Sequence, residues 1–132
     1  MKPVTLVAAA VAIGLTSSRL TAGGPQVASP YASNADYQAF CTSCHGSSGK
    51  GDGVLAGALR KRPADLTQLS KKNEGVYPSE AVFKIIDAGH ESADMPAWTA
   101  ILAKSQESAG PDAARARIRE LVKYLETIQP KP

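Results

Sequence analysis

Cys41-Thr42-Ser43-Cys44-His45 holds the densest chemistry in the chain: two thiols three positions apart, with an imidazole directly after the second. A C-x-x-C pair can close a disulfide, run a thioredoxin-like exchange, supply half of a zinc site, or add to the two vinyl groups of a porphyrin. The exchange reading wants a preceding strand and a βαβ setting, and the flanking sequence offers neither. Zinc wants two more ligands. The chain has two cysteines and two histidines in all, and His45 adjoins Cys44 too closely for finger spacing. The porphyrin reading uses every residue. Two intervening residues let both sulfurs reach adjacent ring edges, and the following histidine lies beneath the ring, where it can take the iron. C-x-x-C-H is the attachment pattern of a c-type haem. A disulfide stays the main competitor, because the N-terminus reads as an export signal.

An iron held by His45 has a second face. Met95, in Asp94-Met95-Pro96-Ala97-Trp98, is the only methionine besides Met1 and stands in a separate part of the chain. A thioether there suits ferrous iron and raises the reduction potential. A core methionine filling a gap is the plain alternative, but Asp94 and Pro96 put Met95 in a loop. His90 is the rival ligand, giving bis-His iron; otherwise it is a solvated histidine after a helix end. An empty sixth position would admit a small gas.

Tyr37-Gln-Ala-Phe-Cys41-Thr-Ser-Cys44-His45-Gly46 resembles the opening of a class I, monohaem c-type cytochrome, with an aromatic four residues before the first cysteine and glycine after the histidine. Met95-Pro96 resembles that family's distal-ligand segment. Ser79 to Gly89 resembles the helix leading into it, and Leu121-Val122-Lys123-Tyr124-Leu125 the closing helix. The likeness covers about residues 33–128. It implies an all-α bundle of about three to five helices with long loops wrapped around one covalent haem c. Cys41 and Cys44 would form thioethers, with His45 the proximal and Met95 the distal ligand. The family often holds its proximal histidine through a proline carbonyl. Pro63 is the candidate here, with a simple loop turn an equal reading. Trp98 would pack at the haem edge or donate to a propionate, or else serve as plain core.

The implied function is one-electron carriage between a redox donor protein and an acceptor, with no substrate transformed and hence no enzyme activity of its own. Three alternatives stand beside it. One is a haem-based sensing module with an open sixth site. Another is a haem subunit of a larger dehydrogenase or oxidase. The last is a thiol oxidoreductase using Cys41 and Cys44.

The elements that must position these residues read as helices. Short helices are expected from Ala35 to about Cys41, capped by Ser33 or Asn34, and around Gly53–Arg60. A third runs from Ser79 to Ala88, with Ser79 as cap and Gly89 as terminator. The clearest spans Pro111 to Ile128, where Ile118, Leu121, Val122, Leu125 and Ile128 recur at spacings of three and four. Trp98 to Lys104 adds a turn or short helix. No alternating strand pattern occurs. Gly46, Gly49, Gly51 and Gly53 punctuate the loop after the motif. Long loops in a small domain need a reason.

Ahead of these elements, Lys2 and the apolar run Val4 to Leu15 match a secretory signal, with cleavage after Ala22. The run is shorter than the ~20 residues of a membrane span, so a membrane enters only if the segment stays as an anchor. Residues 23–33 read as a flexible lead-in and 34–129 as the cytochrome c domain. The expected location is the periplasm of a bacterium, and the expected state a monomer.

With 132 residues, 43% hydrophobic and 20% charged, the chain makes one globular domain. Its formal charge of +3 falls to +1 without Lys2 and Arg19, which gives no nucleic-acid footprint. Arg60-Lys61-Arg62 and Lys71-Lys72 read as solvated surface more than as a docking patch for an acidic redox partner. Seven aromatics make a thin core. A flat apolar ring buried beside Leu55, Leu59, Leu66, Val82, Ile86 and Trp98 would fill it.

Overall fold

The computed structural model describes residues 30–105 and 110–131. The expected signal segment and most of the lead-in lie outside the described residues. Five α-helices follow in order: α1 (Pro30–Phe40), α2 (Thr42–His45), α3 (Ser79–Ala88), α4 (Trp98–Leu102) and α5 (Pro111–Thr127). Single 3-10 turns occur at Ala56–Ala58, Leu66–Gln68, Lys71–Asn73 and Glu91–Ala93. The strand-like pairing found among the described residues is one isolated bridge between His90 and Met95. The protein is all-α, as expected.

Three local expectations change. The first helix begins at Pro30, not Ala35, and so takes in the end of the expected lead-in. Proline suits a first helical turn, where its missing N–H would have no partner anyway. Around Gly53–Arg60 only the turn Ala56–Ala58 forms. At α3 the bounds are as expected, but Pro78 occupies the cap position without a side-chain bond, and Ser79 is the first helical residue.

α5 is the spine. Ala114, Ile118, Leu121, Val122 and Leu125 form its buried stripe, and α1, α3 and α4 all pack on it. Tyr37 from α1, Val82, Phe83 and Ile86 from α3, and Leu102 from α4 complete the core. Each fully buried aliphatic side chain contributes about 1.5–3 kcal/mol. Polar ties reinforce the packing. The Arg117 guanidinium pairs with both oxygens of the buried Asp36 carboxylate, joining α5 to α1, and lies 5.5 Å from the Phe40 ring centre. Arg119 lies 4.3 Å over the Phe83 ring, a cation–π geometry that also covers apolar surface with its stem.

Residues 46–78 contain no α-helix. Backbone bonds fold this segment onto α2 instead. The Gly51, Gly53 and Leu55 amides donate to the carbonyls of His45 (2.8 Å), Cys44 (3.1 Å) and Ser43 (2.9 Å). Gln129, just past α5, secures the far end: its amide nitrogen donates to the Leu66 carbonyl, and its amide oxygen accepts from the Ser70 N–H. The loop is long because it forms one wall of the site.

Candidate functional site

Cys41, Cys44, His45, Pro63, Met95 and Trp98 all line one cavity of about 750 Å³. A smaller apolar space of about 120 Å³ is bounded by Leu66, Val82, Ile86, Leu121 and others, with Cys41, His45 and Met95 shared between the two. Sequence positions far apart thus meet at one place. α1 and α2 deliver the thiols and the imidazole from one side. The turn between α3 and α4 delivers Met95.

The α2 segment is held from several directions. The buried Tyr37 phenol donates to the Gly46 carbonyl at 2.7 Å, and burial pushes its pKa up to about 12. Gly53 crosses so close behind the motif that a Cβ would fall 2.4 Å from the Ser43 carbonyl oxygen. Only glycine permits that approach, and the close crossing accounts for the absence of a helix at Gly53–Arg60.

His45 Nδ1 lies 3.1 Å from the Ala64 carbonyl oxygen. A carbonyl can only accept, so Nδ1 carries the proton and Nε2 keeps its lone pair. Burial lowers the imidazole pKa, partly offset by the bond to Ala64, so the ring is neutral and suited to bind a metal. The expected partner was the Pro63 carbonyl; the structure assigns that bond to the next residue. Pro63 instead lines the cavity, and its own carbonyl faces Gly51.

Burial, then the nearby Asp36 and Cys44, push the Cys41 thiol up to about 12. At neutral pH it is a neutral thiol, which weakens the redox-exchange reading, since the thiolate is the nucleophile. Among the described residues no three His, Cys, Asp or Glu side chains gather to hold a metal ion unaided, which leaves zinc without support. A porphyrin supplies its own nitrogen donors and asks only for axial ligands and an apolar slot.

The turn bearing Met95 is tightly specified. The His90 N–H donates to the Met95 carbonyl at 2.8 Å, and the Met95 N–H donates back at 3.2 Å. Asp94 adopts a left-handed conformation (φ 57°), which aspartate tolerates better than most residues. Arg60 donates to the Asp94 carboxylate from both backbone and side chain, and to the Glu91 carbonyl. Those bonds hold the Asp94 carboxyl below its ordinary range. His90 is exposed at the cavity margin, its Nδ1 3.1 Å from the Ser92 hydroxyl. Trp98 stacks at a tilt on Phe40, with ring centres 5.6 Å apart; Phe40 is a wall residue that sequence reasoning missed.

The residues fit a haem. Thiols and a neutral imidazole sit on one side, a thioether is carried by the turn across the cavity, and the interior is apolar. Lys50, Lys61, Arg62 and Lys72 stand at the lining's exposed parts and match the charge of propionates. Of the side chains expected around the ring, Leu59, Leu66, Val82, Ile86 and Trp98 do line these spaces. Leu55 does not. It is 48% exposed, because the close crossing at Gly53 turns it outward. Arg60 also departs from expectation. It is separated from the solvated run Lys61-Arg62 by its bonds to the Met95 turn, a pairing across 34 residues that no local spacing signals.

A family model described as "Cytochrome C oxidase, cbb3-type, subunit III" matches residues 29–125. No curated protein and no solved structure gives a match.

Proposed function

The chain belongs to this cytochrome c family, and from that premise we propose that it is an exported monohaem carrier that passes single electrons between a donor and an acceptor protein. Covalently bound haem c and haem-based electron transfer come with the family. The assignment of roles to residues is the proposed part. Cys41 and Cys44 anchor the group by thioethers, His45 is the proximal ligand and Met95 the distal one. The observation carrying this reading is the convergence of Cys41, Cys44, His45 and Met95 on one cavity.

Bound haem supplies a ferric/ferrous couple. The protein's part is to limit rearrangement when the charge changes. Ala64 fixes the His45 ring and its tautomer and raises its basicity as a ligand. The paired backbone of His90 and Met95 fixes the thioether's origin. Val82, Ile86 and Leu121 give the adjoining space an apolar lining, and Phe40 and Trp98 pack together on the flank. Thioether ligation and burial both favour the ferrous state and raise the potential.

Optical spectra test the reading. The protein is exported in a host that attaches c-type haem, then recorded ferric and ferrous. The expected result is covalent haem with a weak far-red sulfur-to-iron charge-transfer band in the ferric form, lost in Met95→Ala. Covalent haem without the band, with carbon monoxide binding readily to the ferrous protein, would establish an open sixth site and the sensing reading instead.

A second reading concerns the setting. The matched description names an oxidase subunit, so the same domain can serve as a haem subunit of a larger complex. Purification of the tagged chain from detergent-solubilised whole cells separates the two: a free carrier elutes alone, and a subunit elutes with oxidase polypeptides. Periplasmic location rests on the N-terminal signal. Among the described residues no helix is long and apolar enough to cross a membrane.

A further inference from the structure

Arg60 makes a polar link at the site that spans 34 residues. Its backbone N–H donates to one Asp94 carboxylate oxygen at 2.7 Å, its Nε to the other at 2.5 Å, and a terminal guanidinium nitrogen to the Glu91 carbonyl at 2.7 Å. All three bonds end on the turn that closes at the His90–Met95 bridge. The other end of the link is equally fixed. Arg60 follows the turn Ala56–Ala58, whose preceding residues Gly53 and Leu55 bond to the Cys44 and Ser43 carbonyls. The side that carries the attachment motif is thereby tied to the side that carries Met95, across the cavity between them.

The tie lies at the surface. The Arg60 side chain is 65% exposed and that of Asp94 27%, and neither belongs to the buried core. Its loss leaves α1, α3 and α5 packed as before. What it removes is a restraint on one small turn with Asp94 in a left-handed conformation, a segment with few other side-chain anchors. A planar fork that satisfies a carboxylate and a carbonyl together suits this restraint in a way that a lysine ammonium does not.

We propose that Arg60 is the positioning residue for Met95, holding the distal turn against the cavity so that the thioether stays on the iron. The inference rests on the reading of Met95 as ligand. Its consequence is kinetic: an external ligand must wait for Met95 to leave, and Arg60 slows that departure.

The test uses ferric holoprotein and the rate at which added imidazole replaces the thioether, followed by loss of the far-red band. Arg60→Gln is expected to speed replacement several-fold and Arg60→Lys by less, while the denaturant midpoint of far-UV ellipticity stays within error of the parent. Asp94→Asn is expected to match Arg60→Gln, and the double variant to add nothing further, since both changes break one link. An unchanged replacement rate in Arg60→Gln, with the band present in the parent, overturns the proposal and leaves Met95 ligation standing. A replacement rate that rises only in step with a fall in the global midpoint also overturns it, as a general loss of stability. Absence of the band in the parent removes the ligand reading itself and the proposal with it.

Discussion

Gly89 lies against the backbone of Ala97: a Cβ on Gly89 would stand 2.6 Å from the Ala97 nitrogen and 2.7 Å from the Met95 carbonyl oxygen. The terminator of α3 and the distal segment are therefore in direct main-chain contact, and Gly89 does two jobs. Its positive φ of 75° turns the chain out of the helix, and its missing side chain lets Met95-Pro96-Ala97 pass.

A graded series of alanine substitutions follows from that contact. Gly57 has open space and no positive φ, so Gly57→Ala changes stability by less than about 0.5 kcal/mol. Gly75 has open space but a φ of 86°, so Gly75→Ala costs about 1–2 kcal/mol. Gly89→Ala meets both the strain and the clash and costs about 2–5 kcal/mol. Denaturant midpoints of the three holoproteins check the order, and Gly89→Ala alone weakens the far-red band. Equal effects at Gly75 and Gly89 would show that the close approach carries no weight.

The Asp36–Arg117 pair joins α1 to α5 in a largely buried setting. Arg117→Leu strands a buried carboxylate and is expected to destabilise by about 2–3 kcal/mol. The double variant Asp36→Leu/Arg117→Leu leaves no stranded charge and recovers at least half of that loss. Thermal unfolding of the two holoproteins decides it. A double variant less stable than the single one would mean that the pair contributes more than the charge it neutralises.

Without its haem the chain is expected not to fold cooperatively. The Cys41→Ala/Cys44→Ala variant cannot form thioethers, and the apolar side chains in its cavity of about 750 Å³, Leu59, Met95 and Trp98 among them, would be left with nothing to pack on. Far-UV ellipticity on heating should fall gradually, as in a compact state without fixed packing. A sharp sigmoidal transition would refute this expectation and show that α5 and its neighbours suffice.

Asp87 carries the pH dependence between α3, α4 and α5. The Thr99 hydroxyl, then Arg115, holds its carboxyl below the ordinary range. The unfolded chain takes up a proton near pH 4, while the folded chain resists until lower pH. Its contribution is therefore full above about pH 4 and is lost as the pH falls through the depressed value. Asp87→Asn removes the contribution at every pH. The stability gap between parent and variant, measured by denaturant at pH 7 and at steps down to about pH 3, should narrow below pH 4. A gap of constant width would remove Asp87 from this role.

How much of this was legible in the sequence depends on the kind of cause. α3 and α5 were legible to within a residue because proline opens, glycine or proline closes, and apolar residues recur at three and four between them. The meeting of Cys41, Cys44 and His45 was legible through the chemistry of thioether attachment, and that of Met95 through its loop setting and its resemblance to a distal-ligand segment. The first five residues of α1 were not, because Pro30, Ser33 and Asn34 read as loop and cap residues even where they turn as a helix. Leu55 was misplaced because its direction depends on Gly53 pressing against Cys44, a contact made by backbone without a side-chain signature. Arg60 looked like part of a solvated basic run, because its partner lies 34 residues away and only the folded chain brings them together.

The carbonyls of Pro63 and Ala64 serve different neighbours: one faces Gly51, and the next accepts the His45 ring. An irregular loop thus has a register, just as a strand does. Changing the length of the segment between Gly51 and Ala64 by one residue would present the wrong oxygen to the imidazole, although every residue that touches the cavity were kept. Insertions and deletions, ordinarily the changes a surface loop absorbs most easily, should here be more damaging than substitutions at the same places, and tolerated length variation should gather instead at Gly75, where nothing lies within 4 Å of a Cβ position.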